Sequence, residues 1–232
     1  MQSAKNFFGK ERVTLYHGSP QIVRRPQLGR GNPHNDYGPG FYTTELQELA
    51  CEWACPQTRN GWANEYKLDT KGLRVLDLSG DEFTVLNWMA ILLSNRKIAV
   101  NVGIAQEARA FLIDRYGISL KGADIVHGYR ADDSYFHIAR AFLNNRIPVE
   151  VLEQALFLGG LGYQVALMSE RAFENLEWMS AEPASGAIWN PRRMRRDSEA
   201  RAIAAKLEHD ALANHEGTYV LDFMRSDGAW QQ

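Results

Sequence analysis

RVTLYHGSP, Arg12 to Pro20, begins as a strand and ends as something else. Val13 to Tyr16 mix β-branched, aliphatic and aromatic side chains, which suit a half-buried pleated surface, so residues 12–17 are expected as a strand. His17, Gly18, Ser19 and Pro20 then stop it with a hydrogen-bonding ring, a residue without a Cβ, a hydroxyl and a residue without an N–H. The fold turns on what faces those residues. Downstream, residues 18–40 carry Gly18, Pro20, Pro26, Gly29, Gly31, Pro33, Gly38, Pro39 and Gly40, which break any period. An irregular segment of that length inside a compact domain is usually functional.

FYTT (41–44) reads as a short strand. TELQELACEWA (44–54) reads as a helix with Thr44 at the N-cap and Gln47 completing a capping box. NEYKLD (64–69) and LRVLDL (73–78) read as two strands joined by a turn at Thr70–Gly72. Helical spacing continues over 83–95, about 104–116, 133–144 and 148–159, with strands at 122–130 and 162–169 and a short helix at 170–179. From Ala181 the composition shifts to Pro, Gly and Arg. Residues 1–180 are therefore expected as the main domain. Residues 181–232 are expected as a C-terminal extension on it, made of a basic loop, a helix (about 194–213) and a last strand, TYVLDFM (218–224). Strands and helices interleave without regular βαβ alternation, so the expected class is α+β.

A chain of 232 residues with 45% hydrophobic and 23% charged residues has the makings of a soluble core. The net charge of −2 gives no global attraction to nucleic acid or membrane. Arg192, Arg193, Arg195 and Arg196 form a local basic run that could hold an anion such as a phosphate backbone or a pyrophosphate, although a charge run is more often a solvated or partner-facing surface. The only cysteines, Cys51 and Cys55, share a helix face, where a disulfide is geometrically unfavourable. They read as reduced thiols of a cytoplasmic protein, and nothing near them completes a metal site. No apolar run is long enough for a signal peptide in MQSAKNFFGKERV or for a membrane span elsewhere.

Polar and aromatic residues recur beside these strands: His17-Gly18-Ser19, Tyr42 after Tyr37-Gly38-Pro39-Gly40-Phe41, Trp53 eleven residues on, and Gln164 opening QVALMS. Singly each is bland. A strand-end histidine is more often structural, and an aromatic at helical spacing is more often core. Together they suit a flat polar ring beside a sugar. Gly18 admits close backbone approach, Ser19 can hydrogen-bond an amide, Tyr42 and Trp53 offer ring faces, and His17 and Gln164 can bond hydroxyls.

LYHGS, YGPGFY and the later aromatic together resemble the PARP and diphtheria-toxin branch of NAD-dependent ADP-ribosyltransferases. LYHGS, DYGPGFYTT, Trp53-Ala54, DIVHGYRADDSYF, the Gln-led strand and a late R-D-x-x-A-R (Arg196 to Arg201) also resemble a family of bacterial proteins related to these transferases and found beside antitoxin genes. The resemblance implies two split, mixed β-sheets forming an NAD cleft with flanking helices. It implies a mono-ADP-ribosyltransferase toxin with a cognate antitoxin. NAD is then the substrate, no metal is needed, and the acceptor is a protein or a nucleic acid. His17 would bind the adenosine ribose, Gly18 and Ser19 the carboxamide, Tyr42 and Trp53 the nicotinamide ring, and Gln164 the nicotinamide ribose.

Chemistry would be loss of nicotinamide through an oxocarbenium-like transition state. Gln164 stands where those transferases carry glutamate. It keeps an acceptor oxygen but has no charge and cannot act as a base. Asp132, Asp133 and Asp36 are candidate acceptor bases, although Asp133 also reads as a helix cap and Asp36 as a turn residue. The rival readings are an NAD- or ADP-ribose-binding pseudoenzyme, an NAD glycohydrolase and a structural interaction protein.

Overall fold

The computed structural model of the protein describes residues 11–100, 102–131 and 133–226, with side chains for all of them except Asp133 and Ser134. In chain order the elements are β1 (Arg12–Ser19), β2 (Phe41–Thr43), α1 (Gln47–Ala54), β3 (Gly61–Asp69), β4 (Val75–Asp77), α2 (Val85–Asn95), α3 (Ile104–Tyr116), β5 (Ile125–Tyr129), α4 (Asp133–Leu143), α5 (Val149–Ala155), β6 (Tyr163–Leu167), α6 (Glu170–Glu174), β7 (Leu176–Ala184), α7 (Gly186–Asn214) and α8 (Val220–Arg225). Two sheets and eight helices among the described residues make an α+β fold. Contacts divide the chain into two units. The first takes the described part of Met1–Glu82 with Leu120–Tyr129 and Tyr163–Arg195; the second takes Phe83–Ser119, Arg130–Gly162 and the described part of Arg196–Gln232.

Both sheets belong to the first unit. One has the order β1-β3-β7, antiparallel throughout. The other has the order β2-β6-β5-β4, with β4 and β5 parallel and the remaining pairs antiparallel. Period-two alternation turns Val13 and Leu15 of β1 and Leu68 of β3 onto the same core as Ile125, Val165 and Leu167 of the second sheet. Each such side chain withdrawn from water contributes roughly 1.5–3 kcal/mol. The opposite face of the first sheet takes α1, through Ala50 and Ala54 against Ala63 and Ala184. Small residues on both sides let the helix lie close.

In the second unit, α2 is buried over most of its length and starts with a capping box in which Asn87 Oδ1 accepts the Thr84 N–H at 2.8 Å. Trp88 meets Tyr135 edge-on at 4.6 Å, and Phe223 of α8 packs on Tyr116 and Phe142. Glu208 of α7 bonds His137 at 2.6 Å and Arg146 at 3.0 Å.

Several segments depart from the sequence expectations. The helix expected to Met179 stops at Glu174, and β7 follows as a third strand on β3. Glu, Ala and Leu hid that strand from a propensity reading; ladder pairing decides it, and Pro183 is tolerated because β7 is an edge. The basic stretch expected as loop before about 194 is helix from Gly186: Arg192 and Arg193 lie inside α7, just beyond Pro191, and run on into the expected helix that holds Arg195 and Arg196. The expected last strand is α8, because Asp222 caps the Tyr219 N–H at 2.9 Å and Val220 and Phe223 bury at helical spacing. Strands β3 and β4 form no hairpin, since each belongs to a different sheet. Leu46, not Thr44, is the N-cap of α1; Thr44 Oγ1 accepts the Leu46 N–H at 3.2 Å. Cys55 lies just past the end of α1, and both cysteines are free and buried. Burial pushes the Cys51 thiol up to about 11. None of the described helices is long and apolar enough to cross a membrane.

Candidate functional site

The two sheets meet edge to edge at one bridge. The Tyr16 N–H donates to Thr44 C=O at 2.7 Å, and the Thr44 N–H donates to Tyr16 C=O at 2.9 Å. The next antiparallel step would set Gly18 opposite Tyr42. There the Tyr42 carbonyl instead accepts from His17 Nδ1 at 2.8 Å. The imidazole replaces a ladder bond, and β1 and β2 part from that point.

A carbonyl can only accept, so Nδ1 carries the proton and Nε2 keeps its lone pair. Burial holds the His17 pKa below the ordinary histidine value, against the opposing pull of the Tyr42 carbonyl. The ring lies 4.4 Å from that of Phe41. Strand alternation turns the Gly18 N–H and C=O to the same side as those of Tyr16, away from β3. Gly18 is also a packing necessity: a Cβ there would collide with the Ala50 carbonyl and come within 2.7 Å of Ala54 N.

Beyond Ser19 the chain is tied down by Asn64, the strand partner of His17. Fully buried, Asn64 donates to the carbonyls of His17 and Gln21, both at 3.2 Å, and accepts the Val23 N–H at 2.7 Å. Tyr66 donates its hydroxyl to Val23 C=O, and Ser19 Oγ accepts the Gln21 N–H at 3.2 Å. From this anchor the loop rises over a cleft of about 490 Å³. Its wall includes His17, Phe41 and Tyr42 and, from the loop, Arg25 and Arg30.

Tyr42 and Gln164 occupy one face of the second sheet. Tyr42 pairs with Ala166, and Gln164 follows two residues away on the same strand. The DYGPG loop folds back over this face. The Tyr42 hydroxyl accepts the Tyr37 N–H at 3.0 Å and donates to Gly38 C=O at 2.7 Å. Tyr37 is buried and donates to Tyr129 C=O at 2.6 Å, over Gly128, where a Cβ would collide with the Tyr37 hydroxyl. Gln164 is 3% exposed, and its amide nitrogen donates to Asp36 Oδ2 at 2.7 Å and Tyr129 C=O at 2.9 Å. Asp36 is equally buried.

His17, Tyr42, Asp36 and Gln164 thus belong to one continuous polar network, with Gly18 and Ser19 adjoining it. Both amide protons of Gln164 are committed, and Gln164, Asp36, Gly18 and Ser19 are not among the residues of the cleft wall. Trp53 is half-buried on α1 and is not part of the cleft wall. Asp132 lies outside the described residues, and Asp133 belongs to the second unit, where its backbone opens α4. Sequence reasoning missed Asn64, whose signal was an uncharged polar side chain heading a strand. It also missed Arg25 and Arg30, which sat inside a loop already marked by its length.

A family model described as "Protein of unknown function (DUF3990)" matches residues 13–178, a span that includes every one of these network residues. No curated protein and no solved structure matches the chain.

Proposed function

The chain belongs to that family, DUF3990, and we propose that it is an NAD-dependent mono-ADP-ribosyltransferase. The observation that carries the reading is the parting of the two sheets at His17 and Tyr42, beside a cleft with aromatic and cationic walls. Its support is chemical. His17 Nε2 is an acceptor matched to a sugar hydroxyl. The outward Gly18 N–H and C=O match the acceptor and donor of a carboxamide. Tyr42 adds an aromatic residue to the cleft wall, its hydroxyl fixed by the loop.

In this reading the C–N bond between ribose and nicotinamide breaks and nicotinamide leaves with the bonding pair. The oxocarbenium carbon is then taken by an acceptor nucleophile, which gives up its proton. Gln164 holds Asp36 at the start of the loop that fixes the Tyr42 hydroxyl. We further propose a cytoplasmic toxin held by a cognate antitoxin and acting on a protein or nucleic-acid acceptor.

The committed amide of Gln164 favours one second reading, an NAD-binding protein that does not transfer. NAD labelled at the adenylate phosphate, incubated with the full chain in bacterial lysate and followed by nuclease or protease digestion, separates the two. Label on a macromolecule, lost in His17→Ala, supports transfer, and the effective digestion identifies the acceptor class. Free ADP-ribose alone points to hydrolysis. Binding without release of nicotinamide supports the second reading.

A further inference from the structure

The cleft wall contradicts the charge of the chain. The protein carries a net charge of −2, yet the residues lining this cleft include Arg25 and Arg30 and no Asp or Glu. The nearest carboxylate of the network, Asp36, is buried and takes a hydrogen bond from Gln164. Among the described residues neither Arg25 nor Arg30 is in an ion pair, although neighbouring Arg24 is spent on the face of Trp178, 5.0 Å away. Arg30 Nε donates to Gln27 Oε1 at 3.1 Å, which orients that guanidinium and leaves its terminal nitrogens for another acceptor. The loop bearing both arginines is no loose tether. Asn64 and Tyr66 pin it at Gln21 and Val23, and the DYGPG network pins its far end.

Two cations held on a braced loop, in one cleft with three aromatic residues, match a ligand with an anionic middle and a ring-bearing end. A guanidinium gives a forked pair of donors that fits phosphate oxygens. Single phosphates need one such fork; a diphosphate has oxygens for two. The volume of about 490 Å³ is in the range of pockets that enclose a nucleotide-sized molecule.

We propose that Arg25 and Arg30 form a diphosphate clamp, so that this cleft selects nucleoside 5′-diphosphates and the dinucleotides that contain them. The proposal deepens the reading above, resting on this cleft as its ligand site. Its charge argument applies whether or not a transfer follows.

The test is calorimetric titration of the full chain with ADP, AMP and adenosine, repeated for Arg25→Gln, Arg30→Gln, the double variant, and Arg201→Gln as a charge control outside the cleft lining. Unchanged melting temperatures show that the variants fold. Each arginine removed is expected to weaken ADP binding roughly tenfold or more and to leave adenosine binding unchanged. ADP binding, but not adenosine binding, should fall as salt rises from about 50 to about 500 mM. Equal affinities for ADP and adenosine, or a double variant that binds ADP like the parent, overturn the clamp. Release of nicotinamide from NAD, measured alongside, separates the two claims. Arginine-dependent ADP binding without NAD binding or cleavage sustains the clamp and removes the transferase. Cleavage of NAD by the double variant at the parent's KM sustains the transferase and removes the clamp.

Discussion

Gln164→Glu puts the strongest demand on the polar network. The change is isosteric and restores the residue that the resembling transferases carry, so a motif argument expects a gain of activity. The geometry expects a loss. The amide nitrogen now 2.7 Å from Asp36 Oδ2 would become a carboxylate oxygen, and the other contact, 2.9 Å from Tyr129 C=O, would also turn repulsive. Coulomb's law at an effective dielectric constant of about 20 gives about 6 kcal/mol of repulsion at that 2.7 Å separation. The folded variant escapes most of this by keeping one proton between the two carboxyls, which raises the apparent pKa of the pair. A rise of about 2–3 pH units is worth about 3–4 kcal/mol.

The sign follows from which state holds the proton. The unfolded glutamate releases it near pH 4.3, the folded pair only at a higher pH. Stability is therefore intact below about pH 4 and is lost as pH rises through that window. Relative to the parent, the melting temperature at pH 8 should fall by roughly 6–16 °C and should recover towards pH 5. Asp36→Asn added to Gln164→Glu restores an amide donor facing a carboxylate, and should return most of the loss at pH 8. Parallel melting curves of parent and variant across pH 5–8 would refute this account. So would faster nicotinamide release at undiminished stability.

Two further outcomes test the junction of the sheets. Because burial depresses the His17 pKa, the folded state resists the proton that the unfolded chain accepts. Its share of stability is complete above about pH 6.5 and is lost as pH falls through the lowered value; His17→Asn should flatten that acid limb in a urea titration. Gly18→Ala drives a methyl into the Ala50 carbonyl and Ala54 N, so α1 must shift. A loss of about 1–3 kcal/mol is expected in urea denaturation, and an unchanged midpoint would show that α1 gives way freely.

The sequence was most readable where a residue's type and its neighbours agreed. Strand β1, helices α2, α3 and α4, and strands β5 and β6 fall where period and punctuation put them. The failures share one cause, a local preference overruled by a partner distant in sequence. LEWMSAEPA is a strand because β3 needs a second neighbour, and TYVLDFM turns helical because Val220 and Phe223 bury together. Site residues followed the same division. His17 and Tyr42 could be named from LYHGS and YGPGFY. That the ring of one bonds the carbonyl of the other depends on a register between strands 25 residues apart, which no local pattern encodes. Gln164 could be named from its strand, but its partner Asp36 lies 128 residues away, so its committed amide was invisible. Arg25 and Arg30 stood in a stretch legible only as irregular.

The network also assigns the burdens within the site. A glutamate at position 164 would bring charge and position together in one side chain. Here they are separated: the carboxyl belongs to Asp36, and Gln164 positions it by bridging to the Tyr129 carbonyl. That same carbonyl accepts from the Tyr37 hydroxyl, and the Tyr37 N–H donates to the hydroxyl of Tyr42. Every link is a hydrogen bond between groups wholly or largely withdrawn from water, where an unmade bond costs about 1–3 kcal/mol. Loosening one link exposes the next group to that penalty, so the loop from Asp36 to Tyr42 holds or yields as a unit. The Tyr42 ring therefore stands fixed before any ligand arrives. His17, bonded to the carbonyl of the same residue, is fixed with it. A cleft so braced meets its ligand with little left to reorganise, which is the condition under which a few aligned dipoles act strongly on a developing charge.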